Sequence, residues 1–235
     1  MLSFIKLLRR YFRRIFYGFD VNFLNEIRSY ELKKIESYFP KSKQIKVLEV
    51  GGGTGKQAML LREKGYDIHS IDLETSNYSQ FKHDIVSIYD GVTIPFDADT
   101  FDVVISSNVL EHIADLPNIM SELKRVTKQD GIGIHLMPSP SWRFYTSIAD
   151  LIYLWHFKKK HGEHASNIFT EIFVFRKAWW IKQFHNNAFS IILTSTNGLF
   201  YSGASLMGPR ISLSSRCFLS KFLGASCNVF VVKST

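Results

Sequence analysis

Apolar residues recur along this chain at two spacings that alternate over most of its length. Short continuous apolar runs are typical of buried strands, and longer segments with an apolar residue every three or four positions are typical of amphipathic helices. The alternation predicts an α/β protein, in which Asp130 and Gly131 form the turn into the fifth strand. The runs predict strands at residues 45–50, 67–72, 81–85, 101–106, 132–137, 189–194 and 228–232.

Turn residues set the limits of the predicted helices. The segment that begins at Val21 stops before Pro40, and Gly65 follows the next helix as a C-cap glycine. Residues 201–225 contain three glycines and a proline and predict a long insertion, which in a compact domain is usually functional. The predicted helices cover residues 21–39, 55–64, 116–126, 141–157 and 176–185.

The first 19 residues combine an apolar helical face with a basic one, and they hold five cations and no acid. They therefore supply +5 of the net charge of +8, so the basicity is mainly a property of this segment. Two interpretations are open: a helix that lies on an anionic membrane surface, or a helix that packs on its own domain. We expect amphipathic helices over residues 1–40 and one domain over residues 41–235, with lid or insertion segments at about 141–170 and 201–225.

Neither cysteine usage nor hydropathy indicates a secreted or membrane-spanning protein. Cys217 and Cys227 lack the spacing of a metal site and are expected to be buried or free thiols of a cytoplasmic protein. Four arginines interrupt the N-terminal segment, which excludes a signal peptide there. The sequence also lacks an apolar run of about 18 residues, so no transmembrane helix is predicted.

A glycine cluster follows the first predicted strand and precedes a helix, as in turns that bring backbone close to a nucleotide. A phosphate-binding P-loop would need glycine where Val50 stands and serine or threonine where Gln57 stands, so that motif is excluded. A dinucleotide fingerprint on Gly53, Gly55 and Ala58 would place its glycines late relative to the strand end.

The pattern Glu49-x-Gly51-x-Gly53-x-Gly55 instead resembles the first motif of the class I S-adenosylmethionine-dependent methyltransferases. Residues 110–113, Leu-Glu-His-Ile, resemble a widespread subgroup of that family, and the resemblance covers roughly residues 45–140. It implies a Rossmann-like sheet of seven strands, mostly parallel with an antiparallel C-terminal hairpin and helices on both faces. It also implies S-adenosyl-L-methionine as the cofactor.

The acid at the end of the second strand, Asp72, lies 23 residues after Glu49, the distance expected across one βαβ step. It is expected to accept hydrogen bonds from both ribose hydroxyls, with the alternative that it caps the next helix. The resemblance places Asp84 at the adenine amino group and Ile85 beside the ring, although Asp90 is an alternative to Asp84. The expected cofactor-binding residues are Glu49, Gly51, Gly53, Gly55, Asp72, Asp84, Ile85 and Asn108.

His112 follows the fourth strand at the edge where open α/β sheets bind ligands, and it is the first candidate for a general base. The alternative is that Glu111 and His112 only cap the loop. His161 and His164 are second candidates. Two histidines three residues apart in a loop rarely make a metal site without further ligands, so no metal is expected. His135, inside the fifth strand, is expected to be a core histidine.

The acceptor is the least determined part of the prediction. The aromatic segment from Trp142 to Trp155 is expected either to roof the acceptor site, since aromatic surfaces suit sugar rings or lipid-like groups, or to form ordinary core. The Leu-Glu-His-Ile ending and the segment Pro140-Ser141-Trp142 resemble enzymes of bacterial surface-polysaccharide synthesis, which implies a small-molecule or glycan acceptor. The basic amphipathic N-terminus agrees with a lipid-linked acceptor at the inner membrane face. Nucleic-acid methylation agrees with the high pI, but an Asn/Asp-Pro-Pro-Tyr-like motif is missing after strand four, so nucleic acid is not expected. A non-catalytic protein with this fold remains an alternative, and the sequence does not decide the oligomeric state.

Overall fold

A computed structural model describes residues 7, 20–42, 44–76, 78–154, 160–203 and 210–235. The amphipathic helix predicted within residues 1–19 lies, apart from residue 7, outside the described residues. The described chain forms a seven-stranded sheet flanked by helices. Its strands are β1 Lys46–Val50, β2 Asp67–Asp72, β3 Val86–Ile88, β4 Phe101–Ser107, β5 Thr127–Pro138, β6 Phe189–Thr196 and β7 Cys227–Ser234.

The sheet order is β3-β2-β1-β4-β5-β7-β6. The first five strands run parallel to their neighbours, and β7 is inserted antiparallel between β5 and β6. The order reverses between β1 and β4, which opens a crevice at the carboxyl ends of these strands, where open α/β sheets bind ligands. This topology confirms the predicted fold.

Polar caps begin several of the helices. Asp20 accepts hydrogen bonds from the second and third backbone amides of α1, and Asn167 does the same at α5. Asp115 accepts from the third backbone amide of α3. The helices are α1 Val21–Glu36, α2 Lys56–Glu63, α3 Leu116–Val126, α4 Pro140–Leu154, α5 Ile168–Val174, α6 Lys177–Asn186 and α7 Leu213–Leu223.

Alternate residues of the central strands divide the apolar core between the two faces of the sheet. Leu48 and Val104 face a cluster that includes α3 and α6, whereas Val47 and Val103 face a cluster that includes α1 and α2. These side chains are at most 1% exposed, as expected for strands covered by helices on both faces.

Helix α1 also packs across the carboxyl edge of the sheet. Its first turns place Phe23 and Ile27 in a third apolar cluster, which includes Trp142 of α4. Asn25 accepts a hydrogen bond from Thr54 of the glycine turn at 2.9 Å, which joins the helix to that turn. Helix α1 therefore borders the crevice.

Three sequence predictions need correction. The third strand is residues 86–88 and not 81–85, because Phe81 ends a 3-10 turn with its side chain 48% exposed. The fifth strand begins at Thr127, and Gly131 occupies a register irregularity within it, where a Cβ would lie 3.0 Å from the backbone oxygen of Asp102. The 201–225 segment contains helix α7, and α5 was not predicted.

Candidate functional site

A cavity of about 850 Å³ opens at the carboxyl ends of β1, β2 and β4. One end is lined by the glycine turn after β1 and by Asp72, and the other by the start of α4 and the loop that precedes α5. After the roles expected from the sequence, we call them the cofactor end and the acceptor end. The residues used below that line the cavity are Arg28, Gly51, Gly52, Gly53, Asp72, Tyr78, Asn108, His112, Trp142, Arg143 and His161.

The three alternating glycines of the turn share a backbone conformation that favours glycine. Gly51, Gly53 and Gly55 have φ of 78°, 56° and 82°, in the left-handed region that other residues rarely adopt. A Cβ on Gly53 would lie 3.4 Å from the ring of Tyr78, which lines the same cavity. The turn therefore presents bare backbone to the cavity.

Gly52 is required for a different reason, because its Cα lies directly above buried side chains. A Cβ there would approach the Ser70 hydroxyl to 2.1 Å and the Glu49 carboxylate to 3.2 Å. The sequence pattern did not single out this glycine, since its φ is not positive and the alternating motif omits it.

Glu49 supports the turn from below and does not line the cavity. Its side chain is 3% exposed and accepts a hydrogen bond from Ser70 Oγ at 2.7 Å. Burial raises the pKa of this carboxyl to about 7, although the hydrogen bond from Ser70 and the charge of Arg28 act in the opposite direction.

Asp72 lies at the end of β2 and faces the cavity with 8% exposure. One carboxylate oxygen accepts a hydrogen bond from the Gly53 amide and the other from the Leu73 amide, both at 2.8 Å. These bonds use part of the acceptor capacity of the carboxylate and fix its orientation, which leaves lone pairs for a ligand hydroxyl.

Arg28 of α1 is the main residue of this end that sequence analysis did not identify. Its guanidinium pairs with Glu31 at 2.5 Å. Burial alone would lower the pKa of the guanidinium, but the negative charge of Glu31 raises it, and the net effect is a rise. Glu31 is fully buried and also accepts hydrogen bonds from Asn197 and Tyr201 at 2.8 and 2.7 Å. A permanently charged cation is thus held in the cavity wall.

The other predicted cofactor residues occupy three kinds of position. Asn108 lines the cavity with φ of 56° and, when its amide oxygen faces Arg28, accepts from both terminal guanidinium nitrogens at 2.7 and 2.9 Å. Gly55 begins α2, and a Cβ there would contact Ile85 at 2.9 Å, below the turn. Ile85 is buried in the core, Asp84 is exposed, and neither is among the cavity-lining residues.

The acceptor end is formed by segments far apart in sequence. The loop before α5 is bonded to the turn after β4, with the Glu163 amide donating to the Glu111 carbonyl at 2.8 Å. Glu171 of α5 accepts from the amides of His161 and Gly162 at 2.6 Å. A Cβ on Gly162 would approach the Glu111 carbonyl to 2.7 Å, so glycine permits this contact.

This loop brings His161 against His112, with ring centroids 4.4 Å apart. Burial lowers the pKa of His112, and burial lowers that of His161 to about 3, helped by the charges of His112 and Arg143. Both imidazoles are therefore neutral at pH 7, the form in which a ring nitrogen accepts a hydrogen bond or binds a metal ion.

Glu111 lies beneath the two imidazoles with its side chain fully buried. Its Oε1 is 3.8 Å from His112 Nε2 and 3.9 Å from His161 Nε2. Burial raises the pKa of this carboxyl to about 8. His112 thus lines the cavity, and the Glu111 carboxylate lies behind it.

The remaining sequence candidates lie elsewhere. His164 contacts the Leu110 carbonyl at 3.2 Å and does not share a site with His161, and His135 is 1% exposed within the core, as predicted. Both cysteines are free, and Cys227 is buried. Among the helices that the structure describes, each falls short of the length and apolarity needed to cross a membrane.

The chain was compared with known families and proteins. The model of a family described as a methyltransferase domain matches residues 24–176. A ubiquinone biosynthesis O-methyltransferase of Rickettsia typhi is 30% identical over 119 residues, which cover 47% of this chain and 48% of that protein. This chain therefore matches about half the length of that relative. An uncharacterized protein of Methanocaldococcus jannaschii is 26% identical over 83% of this chain and 76% of its own length.

Solved structures with the same fold support the family match. A SAM-dependent methyltransferase from Aquifex aeolicus superimposes with a TM-score of 0.53 at 14% identity, over 98% of this chain and 97% of the other. Geranyl diphosphate methyltransferase, solved with GPP and sinefungin, gives a TM-score of 0.57 at 11% identity, over 88% and 78% of the two chains. Because the family model covers more than half of the sequence and the sheet has the same fold, the chain belongs to the class I S-adenosylmethionine-dependent methyltransferases.

Proposed function

We propose that this protein transfers a methyl group from S-adenosylmethionine to a hydroxyl of a small-molecule or glycan acceptor. The observation that carries the proposal is the continuity of the cavity. The glycine turn and Asp72 line the same space as two neutral imidazoles, so a cofactor and an acceptor have room to meet there. A bound cofactor supplies an electrophilic methyl group on its sulfonium, and the protein has to align the acceptor with it and exclude water.

The residues at the cofactor end fit the chemical groups of S-adenosylmethionine. The bare backbone at Gly51 and Gly53 admits a ligand close to the strand end, where side chains would block it. The Asp72 carboxylate is an acceptor for ribose hydroxyls. The Arg28 guanidinium is the cation that a terminal carboxylate of the ligand requires, and its Glu31 partner keeps it oriented.

At the acceptor end, His112 takes the proton of the acceptor hydroxyl. Its lowered pKa leaves the imidazole neutral at pH 7, and its position after β4 faces it into the cavity. Trp142 lies beside His161, with ring centroids 4.6 Å apart, and gives this end an aromatic surface of the kind that packs against sugar rings.

We further propose that the acceptor is linked to a lipid and lies at the inner membrane face. Helix α4 supports it, because one side of this helix lines the cavity through Arg143 and the other exposes Phe144, Ile148 and Leu151 by 50%, 38% and 51%. An exposed apolar face next to a cavity is typical of a membrane or partner contact. The basic, apolar pattern of residues 1–19 agrees with an anionic membrane surface.

The binding test is calorimetric titration of the full-length protein with S-adenosylmethionine. We expect saturable heat that Asp72→Ala reduces at least tenfold in affinity, because the carboxylate both accepts from the ligand and holds Gly53. Asp67→Ala, at the opposite and exposed end of the same strand, is the matched control and should bind normally.

A transfer assay with the same preparation tests the acceptor class. The protein, methyl-labelled cofactor and either a lipid extract or a water-soluble extract of cells are incubated, and products are searched for a gain of about 14 daltons, the mass of an added CH₂. Label in the glycan-bearing lipid fraction supports the proposal. Label only in water-soluble products contradicts the lipid link, and absence of cofactor binding contradicts the proposed function itself.

A further inference from the structure

The carboxylate of Glu111 is placed where neither solvent nor hydrogen bonds satisfy it. The side chain is fully buried, and among the described residues neither of its oxygens has a hydrogen-bond partner. A buried polar group without a partner costs about 1–3 kcal/mol, and more when it is charged. Such a group directly behind the lining of a cavity requires an explanation, and a bound ion is one of those available.

Two imidazole nitrogens face this carboxylate at distances that suit a shared ion. His112 Nε2 and His161 Nε2 lie 3.8 and 3.9 Å from Glu111 Oε1, and one ligand atom from each of the three residues lies within 4.8 Å of the others. Ligands bound at about 2.0–2.2 Å around one tetrahedral ion are separated by roughly 3.4 Å. The two carboxylate–imidazole distances exceed this separation by about half an ångström, and side-chain rotation would bring the imidazole nitrogens, within 4.8 Å of each other, close enough to share a cation.

The geometry points to a binding site for a divalent transition-metal ion, such as Zn²⁺ or Co²⁺, formed by Glu111, His112 and His161. Two imidazoles and one carboxylate are ligands that such ions prefer over the all-oxygen surroundings of Mg²⁺ or Ca²⁺. Three protein ligands leave a further position open, as in catalytic metal sites. Because His112 and His161 line the cavity, that position faces the acceptor end.

The loop before α5 is held so that the third ligand stays in place. Glu171 binds the backbone amides of His161 and Gly162, and Arg143 lies 3.1 Å from the same carboxylate. These contacts orient the segment that carries His161 and balance the charge of the nearby arginine. Secondary contacts of this kind orient metal ligands in known sites.

The role of the ion rests on the proposed function. At this position it would bind the acceptor hydroxyl and favour its ionised form. His112 would then serve as a ligand and no longer as the proton acceptor. In the alternative, Glu111 is protonated and His112 acts as the base. The experiment described next distinguishes the two arrangements.

The experiment is a titration of chelator-treated full-length protein with Co²⁺, followed by its visible absorption, which reports coordination by the protein. We expect one saturable site, and Glu111→Gln and His161→Gln should each weaken it at least tenfold. His185→Ala, an exposed histidine on α6, is the matched control and should bind Co²⁺ normally. Thermal unfolding and titration with S-adenosylmethionine verify that each variant is folded.

The outcomes separate this inference from the proposed function. Absence of a Co²⁺ signal, or a signal equal in wild type and in both ligand variants, would overturn the metal site. Normal cofactor heat in the same samples would leave the methyltransferase proposal intact, with His112 as the base. Absence of cofactor heat in wild type would instead remove the proposed function, whatever the Co²⁺ result.

Discussion

The two ends of the cavity are built in different ways. The cofactor end depends on backbone: glycines with positive φ expose peptide groups, and the nearby Asp72 hydrogen-bonds to those groups. The acceptor end depends on side chains, with His112 and His161 meeting only because a loop about 50 residues further along folds back onto the turn after β4. The cofactor end is therefore encoded by local sequence, whereas the acceptor end is assembled by packing between distant segments.

The two ends also differ in how far the protein itself pairs their charged groups. At the cofactor end, Arg28 and Glu31 form a close pair whose remaining oxygen is satisfied by Asn197 and Tyr201. At the acceptor end, Glu111 is buried without hydrogen bonds among the described residues, and both imidazoles have lowered pKa values. The charged groups of Arg28 and Glu31 at the cofactor end are thus paired within the protein, whereas the Glu111 carboxylate at the acceptor end lacks a hydrogen-bond partner among the described residues.

The largest effect is expected from Arg143→Met at the acceptor end. The change leaves the fully buried Glu171 carboxylate without the cation that lies 3.1 Å away, and breaking a buried pair costs about 3–5 kcal/mol. Denaturant unfolding should show this loss in the free energy of unfolding. Lys128→Met, in a partly exposed pair with Asp102, is the control and should lose no more than about 1 kcal/mol. Equal losses would mean that the loop before α5 is not held by this pair.

A smaller effect is expected from Gly52→Ala at the cofactor end. Its Cβ would meet the Ser70 hydroxyl, and overpacking of this kind costs about 1–3 kcal/mol. If the turn shifts to relieve the contact, cofactor affinity should fall about tenfold or more, as measured by calorimetry. Gly65→Ala is the control for cofactor affinity, because Gly65 has open space around its Cα and lies outside the cavity lining. The positive φ of Gly65 makes alanine costly for stability there, so only the cofactor affinities of the two variants are compared. Matching cofactor affinities in the two variants would contradict a tightly packed turn.

The smallest effect is a pH dependence that originates at Glu49. Its folded pKa of about 7 lies above the ordinary value of 4.5, so the folded protein holds this proton more tightly than the unfolded chain. The resulting stabilisation is full below pH 4.5 and is lost as the pH rises through 7. Between pH 6 and 7, the cofactor-free protein should lose about 1 kcal/mol that Glu49→Gln does not lose. The same substitution at the exposed Glu74 is the control, and equal pH slopes in wild type and Glu49→Gln would contradict the burial argument.

Much of the fold was predictable because its signals are local. The apolar runs identify five of the seven strands to within two residues at each end, and the start of the fifth was placed five residues late. The third strand was misplaced because only Val86 of this short edge strand is buried. Gly131 was interpreted as a turn because a glycine at a strand irregularity gives the same local signal. Helix α5 is only seven residues long, too short for a clear periodicity.

The candidate site was predictable at one end only. Glycines that adopt positive φ leave a pattern in consecutive residues, and Asp72 follows from the strand that precedes it. Arg28 carries no such signal, because an arginine on an amphipathic helix is usually solvated and only the packing of α1 over the glycine turn buries it. Gly52 was missed because its neighbours, Ser70 and Glu49, belong to two different strands.

The sequence by itself determined the strand-turn-helix arrangement of residues 46–63, the acid at the end of β2 and the family to which the chain belongs, since each depends on neighbouring residues or on motifs in short segments. Only the tertiary structure decided which histidines meet. His161 and His164 are neighbours in sequence but face different partners, whereas His161 joins Glu111 and His112. The physical reason is that the loop amides donate hydrogen bonds to the Glu171 carboxylate and to the Glu111 carbonyl, which fixes the direction of the loop. The Glu111 carbonyl belongs to a turn about 50 residues earlier, so no local pattern encodes that contact.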